Sequence, residues 1–277
     1  MSELKKKNGN ITNIILIVML AAGIILLTYP TVADWWNSFH ATRAIASYAK
    51  QIENMDHDDF DQMRAEAAAY NERLLYDNDR YHLSEEELKE YNSLLDLTGT
   101  GIMGYIDIPS IRITLPIYHT TDEAVLQIAI GHIPGTSLPV GGESTHCVLS
   151  GHRGLPSARL FTDLDKLREG DTFMMQVLDE TLTYEVDQIR KVLPAELDEI
   201  QIEEGKDYCT LVTCTPYGIN THRLLIRGHR IETEEVIHVS ADAVLVNRYY
   251  AAAAIAGIII VILLITLFVR TRKKKRQ

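Results

Sequence analysis

The stretch Thr210-Leu-Val-Thr-Cys-Thr-Pro-Tyr-Gly-Ile-Asn-Thr-His-Arg223 decides how this chain is read. Its first half is a β-branched, strand-like run that ends on Cys214. Pro216 and Gly218 then break the ladder, and a second extended run opens at Arg223 and continues to Ile231. If the two runs pair around the loop, Cys214 and Arg223 occupy neighbouring positions at a sheet rim. A cysteine buried for packing needs neither the loop nor the cation. A nucleophile needs a rigid strand end, access to solvent and a positive charge, because the thiolate is the reactive form. Arginine stays protonated and offers five donors, which suits a substrate carbonyl or a developing oxyanion.

A cysteine nucleophile also needs a proton carrier. Of the ten histidines, His152 is the best placed. It follows the strand-like Cys147-Val-Leu-Ser150 and lies in a Gly151-His-Arg-Gly154 turn, whose glycines are expected to let a substrate backbone come close. A thiolate–imidazolium pair there could protonate a leaving amine. The other cysteines, Cys147 and Cys209, read as small core residues. Cys209 and Cys214 are five apart in an extended run, so they face opposite sides of the sheet and do not pair. Three cysteines in all do not make a disulfide scaffold. His119, His132 and His222 show no metal-ligand spacing.

Outward from this stretch, the chain alternates like a β-protein from residue 101. Gly104–Pro109, Ile111–Tyr118, Cys147–Ser150, two long strands within Thr172–Val192 turning at Asp179-Glu180, Tyr208–Cys214 and Arg223–Ile231 read as strands. Short helices are expected after Asp122 and over Leu160–Leu167, and a loop over Pro134–Ser144. Roughly eight strands with short helices predict a closed or nearly closed β-barrel. Upstream, Ala33 to Leu95 is helical in pattern, with runs at Phe60–Leu75 and Glu85–Leu95, the latter opened by a Ser84-Glu-Glu-Glu87 capping box.

The two ends are apolar and basic. Ile11–Tyr29 follows Lys5-Lys-Lys7 and reads as a retained anchor or a signal segment. Tyr249–Val269 carries no charge over 21 residues and precedes Arg270-Thr-Arg-Lys-Lys-Lys-Arg-Gln277. That is long enough to span a bilayer core, and the positive-inside rule puts the basic tail in the cytoplasm. Residues 1–29 and 249–277 together hold nine basic residues and one acidic, net +8. The chain as a whole carries −11, so −19 falls on residues 30–248. An acidic domain of that kind is a poor partner for nucleic acid. The expected layout is a membrane anchor or signal over 1–30, an extracellular helical region over 31–100, a barrel over 101–235, a linker over 236–248, a transmembrane helix over 249–269 and a cytoplasmic tail over 270–277.

Leu211-Val-Thr-Cys214, with Arg223 nine residues on, resembles the signature of sortases. The likeness continues through Gly131-His-Ile-Pro-Gly-Thr-Ser-Leu-Pro-Val-Gly-Gly142, Thr145–Pro156 and Leu160–Leu167, and these longer blocks resemble the class C, pilin-polymerising branch. The resemblance covers about residues 35–277 and implies a cell-surface cysteine transpeptidase with an eight-stranded sortase-type barrel. Such an enzyme cleaves an LPxTG-type sorting signal between Thr and Gly. Cys214 would form the thioester, His152 would act as general acid and base, and Arg223 would position the substrate. A lysine amine of another pilin subunit would resolve the acyl-enzyme, and no metal or diffusible cofactor is implied. The rival readings are a sortase that anchors proteins to peptidoglycan and a scaffold that binds sorting signals without turnover. Class C members also carry a lid with an Asp-Pro-aromatic motif. The equivalent Tyr76-Asp-Asn-Asp-Arg-Tyr81 lacks the proline, which leaves Asp77 or Asp79 as candidate partners of Arg223 and Tyr81 or Tyr76 as candidate covers for Cys214.

Overall fold

The computed structural model describes residues 2–233, with side chains from residue 15 onward. The expected second span, Tyr249–Val269, lies outside the described residues. Two compact units divide the chain, one containing residues 1–36 and the other residues 37–239.

Helix α1 (Ser2–Ile52) carries the N-terminal apolar run. From Ile15 it is long and apolar enough to cross a membrane. Ile25, Leu26 and Leu27 lie exposed along it, as a lipid-facing surface requires and a soluble core helix would not permit. Pro30 sits inside this helix, a position tolerated in apolar spans more readily than in soluble helices.

In the second unit, helices α2 (His57–Tyr76) and α3 (Glu85–Ser93) pack on the barrel. The first turn of α2 carries Asp58 and Asp59 against the positive end of its dipole. Helix α2 starts three residues before the expected Phe60. The capping box of α3 is present as read: the Ser84 hydroxyl accepts from Glu87 N–H, and the Glu87 carboxylate accepts from Ser84 N–H. Tyr48 of α1 ties the helical part to the barrel. Its hydroxyl donates to Met103 O at 2.7 Å and accepts from Leu178 N–H at 2.8 Å, in full burial.

Eight strands close a barrel. They are β1 (Ile102–Ile108), β2 (Ile113–Tyr118), β3 (Ile130–His132), β4 (Thr145–Ser150), β5 (Thr172–Val177), β6 (Glu180–Val192), β7 (Asp207–Thr215) and β8 (His222–Ile231). The order around the barrel is β1-β2-β3-β4-β7-β8-β6-β5. The β2–β3 and β4–β7 pairs are parallel, and the others are antiparallel. Strand β3 is a finding beyond the sequence reading. It is three residues long and is defined by pairing, with Gly131 opposite Ser150 and His132 opposite Leu149. The helix expected over Leu160–Leu167 is a 3-10 turn at Leu164–Lys166. Asp122 does open the short helix α4 (Glu123–Leu126), but its carboxylate accepts from the Thr120 hydroxyl at 3.0 Å rather than capping the helix.

Side chains alternate between two apolar layers. Leu149, Cys147, Cys209, Leu211, Leu224 and Ile226 point into the barrel core, joined by Phe173, Met175 and Tyr184. The alternate residues Val148, Val212, Leu225 and Val192 lie on the outer face, where Ile200 covers them and Tyr81 and Ile133 pack alongside. Full burial of each such side chain contributes about 1.5–3 kcal/mol. This second layer prepares the floor of the site.

Candidate active site

Strand β7 delivers Cys214 to the rim. Period-two alternation puts Cys214 on the same outer face as Val212, opposite in orientation to the buried Cys209. Cys209 and Cys147 are register partners on β7 and β4, both free and both buried. Burial holds the Cys209 thiol well above its ordinary value. Cys214 is free and half-buried, and so is the accessible thiol of the three.

Strand β8 delivers the cation. Cys214 and Arg223 are directly opposed across the antiparallel β7–β8 pair, and Val212 opposes Leu225 in the same ladder. Directly opposed residues share a face, so Cys214 and Arg223 stand side by side at the end of the outer apolar layer. The Arg223 guanidinium is half-buried. Through Nη1 it donates weakly to Asn220 O (3.4 Å) and His222 O (3.3 Å). Among the described residues no carboxylate pairs with it, which leaves donors for an incoming carbonyl.

Strand β4 delivers the histidine. Its last pair with β7 is Ser150 opposite Val212, and Gly151 N–H continues the ladder onto Val212 O at 3.0 Å. Parallel register then carries His152 alongside Cys214. The Thr213 hydroxyl donates to Gly151 O at 2.7 Å, in full burial, and so fastens the turn before His152 to the strand before Cys214. Strand register therefore places the three residues expected to act together at one end of the barrel, although 62 positions separate His152 from Cys214.

The glycines of the histidine turn work differently from expectation. A Cβ on Gly151 would lie 2.7 Å from the Phe161 ring and 2.9 Å from Ile130 Cγ2. A Cβ on Gly154, at φ +79°, would lie 2.8 Å from the Tyr217 ring. Both glycines thus admit the protein's own side chains. The Tyr217 ring, on the β7–β8 loop, also lies under the Arg153 guanidinium at 5.8 Å, and Arg153 is paired with Asp165 at 2.5 Å. The loop that follows Cys214 and the turn that bears His152 are clamped together.

The lid candidates are arranged locally. Asp77 Oδ1 accepts from Asp79 N–H at 2.8 Å, and Asp79 Oδ1 meets His82 Nδ1 at 2.7 Å. Among the described residues no hydrogen bond or ion pair joins either aspartate to Arg223. Tyr76 is exposed. Tyr81 packs on the outer apolar layer that leads towards Cys214. The residue missed in the sequence is Arg80. It is buried, and its Nη2 donates to Gln201 Oε1 (2.5 Å) and Tyr81 OH (3.2 Å) and its Nη1 to Leu74 O (3.4 Å). Gly135, at φ +82°, lets the Arg80 carbonyl close in: a Cβ there would stand 2.1 Å from it. Only burial distinguishes Arg80 from a surface arginine, and a single sequence does not display that.

His119 and His132 do meet, on two sides of the buried Tyr91 ring, at centroid distances of 5.1 and 5.7 Å. His119 faces Leu94 O and Gly101 O through its two ring nitrogens, and His132 Nε2 donates to Ser137 O. His222 lies exposed at the start of β8. Among the described residues no cluster could hold a metal ion.

Comparison with known proteins bears on the fold that carries this site. A sortase domain family model matches residues 106–231. The crystal structure of sortase C1 from Streptococcus agalactiae is 54% identical, with a TM-score of 0.68, over 69% of this chain and 100% of that one. A sortase C from Streptococcus pneumoniae, described for its catalysis and pilin substrate specificity, is 41% identical at TM-score 0.63, over 69% of this chain and 97% of that one. A sortase C from Clostridium perfringens, solved with the C-terminal cell wall sorting motif, is 44% identical at TM-score 0.62, over 70% and 100% of the two chains.

Proposed function

The chain belongs to the sortase family of cysteine transpeptidases, and from that premise we propose that it is a membrane-anchored, class C pilin transpeptidase. It cleaves an LPxTG-type sorting signal between Thr and Gly and transfers the Thr carbonyl to a lysine amine of another pilin subunit. The observation that carries this reading is the direct opposition of Cys214 and Arg223 on the outer barrel face, beside the end of the strand that bears His152.

The chemistry follows from those positions. The Cys214 thiolate attacks the Thr carbonyl carbon, and Arg223 donors stabilise the oxyanion. The Thr–Gly bond breaks as His152 gives its proton to the leaving amine, and a thioester remains. The lysine amine then attacks the thioester. Its proton passes to His152, the new amide forms and the thiolate is restored. The candidate span in α1 supports membrane anchoring, and the acidic middle of the chain argues against a nucleic-acid partner. The pneumococcal relative's description supports pilins as partners rather than peptidoglycan. Segment 76–82 acts as a lid through Tyr81 and is anchored by Arg80, with Asp77 and Asp79 shaping its turn.

Intact mass spectrometry of the full chain in detergent, incubated with an LPxTG-type peptide, tests the reading. The expected result is a mass gain equal to the fragment up to Thr, absent in Cys214→Ala. An adduct that persists in Cys214→Ala would reject Cys214 as the nucleophile. Absence of any adduct across signal variants, while Cys214 still reacts with iodoacetamide, would favour the non-catalytic scaffold. Adding pilin domains in place of peptidoglycan fragments then identifies the amine.

A further inference from the structure

We infer that Glu123 is the positioning residue of the catalytic histidine: its carboxylate holds His152 Nε2 and thereby leaves Nδ1 as the nitrogen that exchanges protons with substrate. The inference rests on the transpeptidase reading above and deepens it. Its basis is a contact that the site already holds, with His152 Nε2 3.5 Å from Glu123 Oε2.

The topology explains the meeting. Strand β3 runs antiparallel to β4, so the start of β3 lies beside the end of β4, as the Gly131–Ser150 pair shows. The connection that enters β3 carries α4, and His152 follows the end of β4. Glu123 on α4 and His152 are therefore brought to the same end of the barrel. The connection is closely packed there. A Cβ on Gly131 would stand 2.0 Å from Thr120 O, and Thr120 N–H is bonded to the buried Tyr91 hydroxyl at 3.2 Å. The Glu123 carboxylate also has a partner within its own helix. The Gln127 side chain, one turn on, donates to Glu123 Oε1, so Oε2 is the oxygen turned to the imidazole. These contacts hold the Glu123 carboxyl below its ordinary value, first through Gln127 and then through His152, so it is an anion when the enzyme works.

The chemical consequence follows from donor counting. A carboxylate only accepts, so it favours the tautomer with the proton on the nitrogen it faces. A neutral His152 then has its lone pair on Nδ1, ready to take a proton from the attacking amine. The imidazolium gives the same Nδ1 proton to the leaving amine. Glu123 is 71% exposed, so water competes for the contact. Its role is to bias ring orientation and tautomer, and it does not itself exchange a proton with the reacting atoms. Its substitution should therefore act on kcat while leaving peptide binding nearly unchanged.

The test combines two readouts on the full chain in detergent micelles. With 15N-labelled histidine, ring-nitrogen NMR assigns the tautomer of His152, its signals identified by their loss in His152→Asn. Steady-state transfer of an LPxTG-type peptide to hydroxylamine gives kcat and KM. The wild type is expected to carry its proton on Nε2. Glu123→Ala is expected to redistribute that proton and to lower kcat on the order of tenfold with KM within about twofold. Glu123→Gln, which keeps an accepting oxygen, should retain the tautomer and recover part of kcat. Unchanged ring signals in Glu123→Ala would overturn the inference, and so would a shifted tautomer with kcat unaltered. If the wild type transfers no peptide, the transpeptidase reading fails, while the ring signals still decide whether Glu123 holds His152.

Discussion

His146 and His152 are six residues apart and stand in opposite situations. His146 is 1% exposed on β4. Its Nδ1 lies 2.8 Å from Gln201 O, which can only accept, and its Nε2 lies 2.7 Å from the Thr210 hydroxyl. That arrangement fits a neutral ring with the proton on Nδ1. Burial lowers its pKa from 6.5 to about 4. A histidine with a depressed folded pKa binds its proton more readily when unfolded, so stability is full above about pH 6.5 and falls as pH drops towards 4. The loss is on the order of 2–3 kcal/mol. Burial shifts His119 in the same direction and adds to the effect. Thermal melts between pH 7 and pH 4 should show this decline, and His146→Gln should flatten it. Gly151 offers a second residue-level outcome. With a Cβ 2.7 Å from the Phe161 ring, Gly151→Ala should cost about 1–3 kcal/mol in melting experiments. Because that turn positions His152, the rate of peptide transfer should fall as well.

At the scale of elements, the segment between α2 and α3 is the one that a class-level pattern describes least well. The Asp-Pro-aromatic motif is absent, and neither Asp77 nor Asp79 contacts Arg223. Arg80 instead bridges to Gln201 in the β6–β7 connection, and Tyr81 lies on the outer apolar layer. Removing one charged hydrogen bond costs about 1.5 kcal/mol or more, which is about tenfold in the population of an opened segment. Arg80→Ala should therefore raise the rate of Cys214 labelling and of acyl-enzyme formation by about that factor. A labelling rate equal to that of the wild type would show that the segment does not cover the thiol. Elements with strong local signals were legible in the sequence. The α3 capping box is a pattern of four residues and was read correctly. The β7–β8 hairpin announced itself through β-branched runs around a Pro/Gly loop. Strand β3 was not legible, because three residues beside a Pro/Gly-rich loop have no periodicity of their own. Its strand character comes from neighbours far along the chain.

For the whole molecule, periodicity located seven of the eight described strands and suggested closure, whereas the order around the barrel depends on pairings that no local pattern encodes. The meeting of Cys214 and Arg223 could be inferred from one hairpin. Bringing His152 to them requires the parallel β4–β7 pair, and here the family resemblance supplied what spacing could not. Glu123 lay outside both lines of reasoning, because its position depends on the short β3 strand. Charge and hydropathy separated the basic, apolar ends from the acidic middle. The N-terminal part of that division is matched by the exposed apolar surface of α1.

Strand β8 sits between β7 and β6 and carries Arg223, so closing the barrel and completing the site are the same event. Without residues 222–231 the sheet would keep two unpaired edges, and the Cys214 thiol would stand without its cation. The last of the described strands is thus the keystone of the fold and of the site alike. Loosening that strand would open the barrel and disarm the cysteine together, so loss of structure and loss of reactivity should coincide.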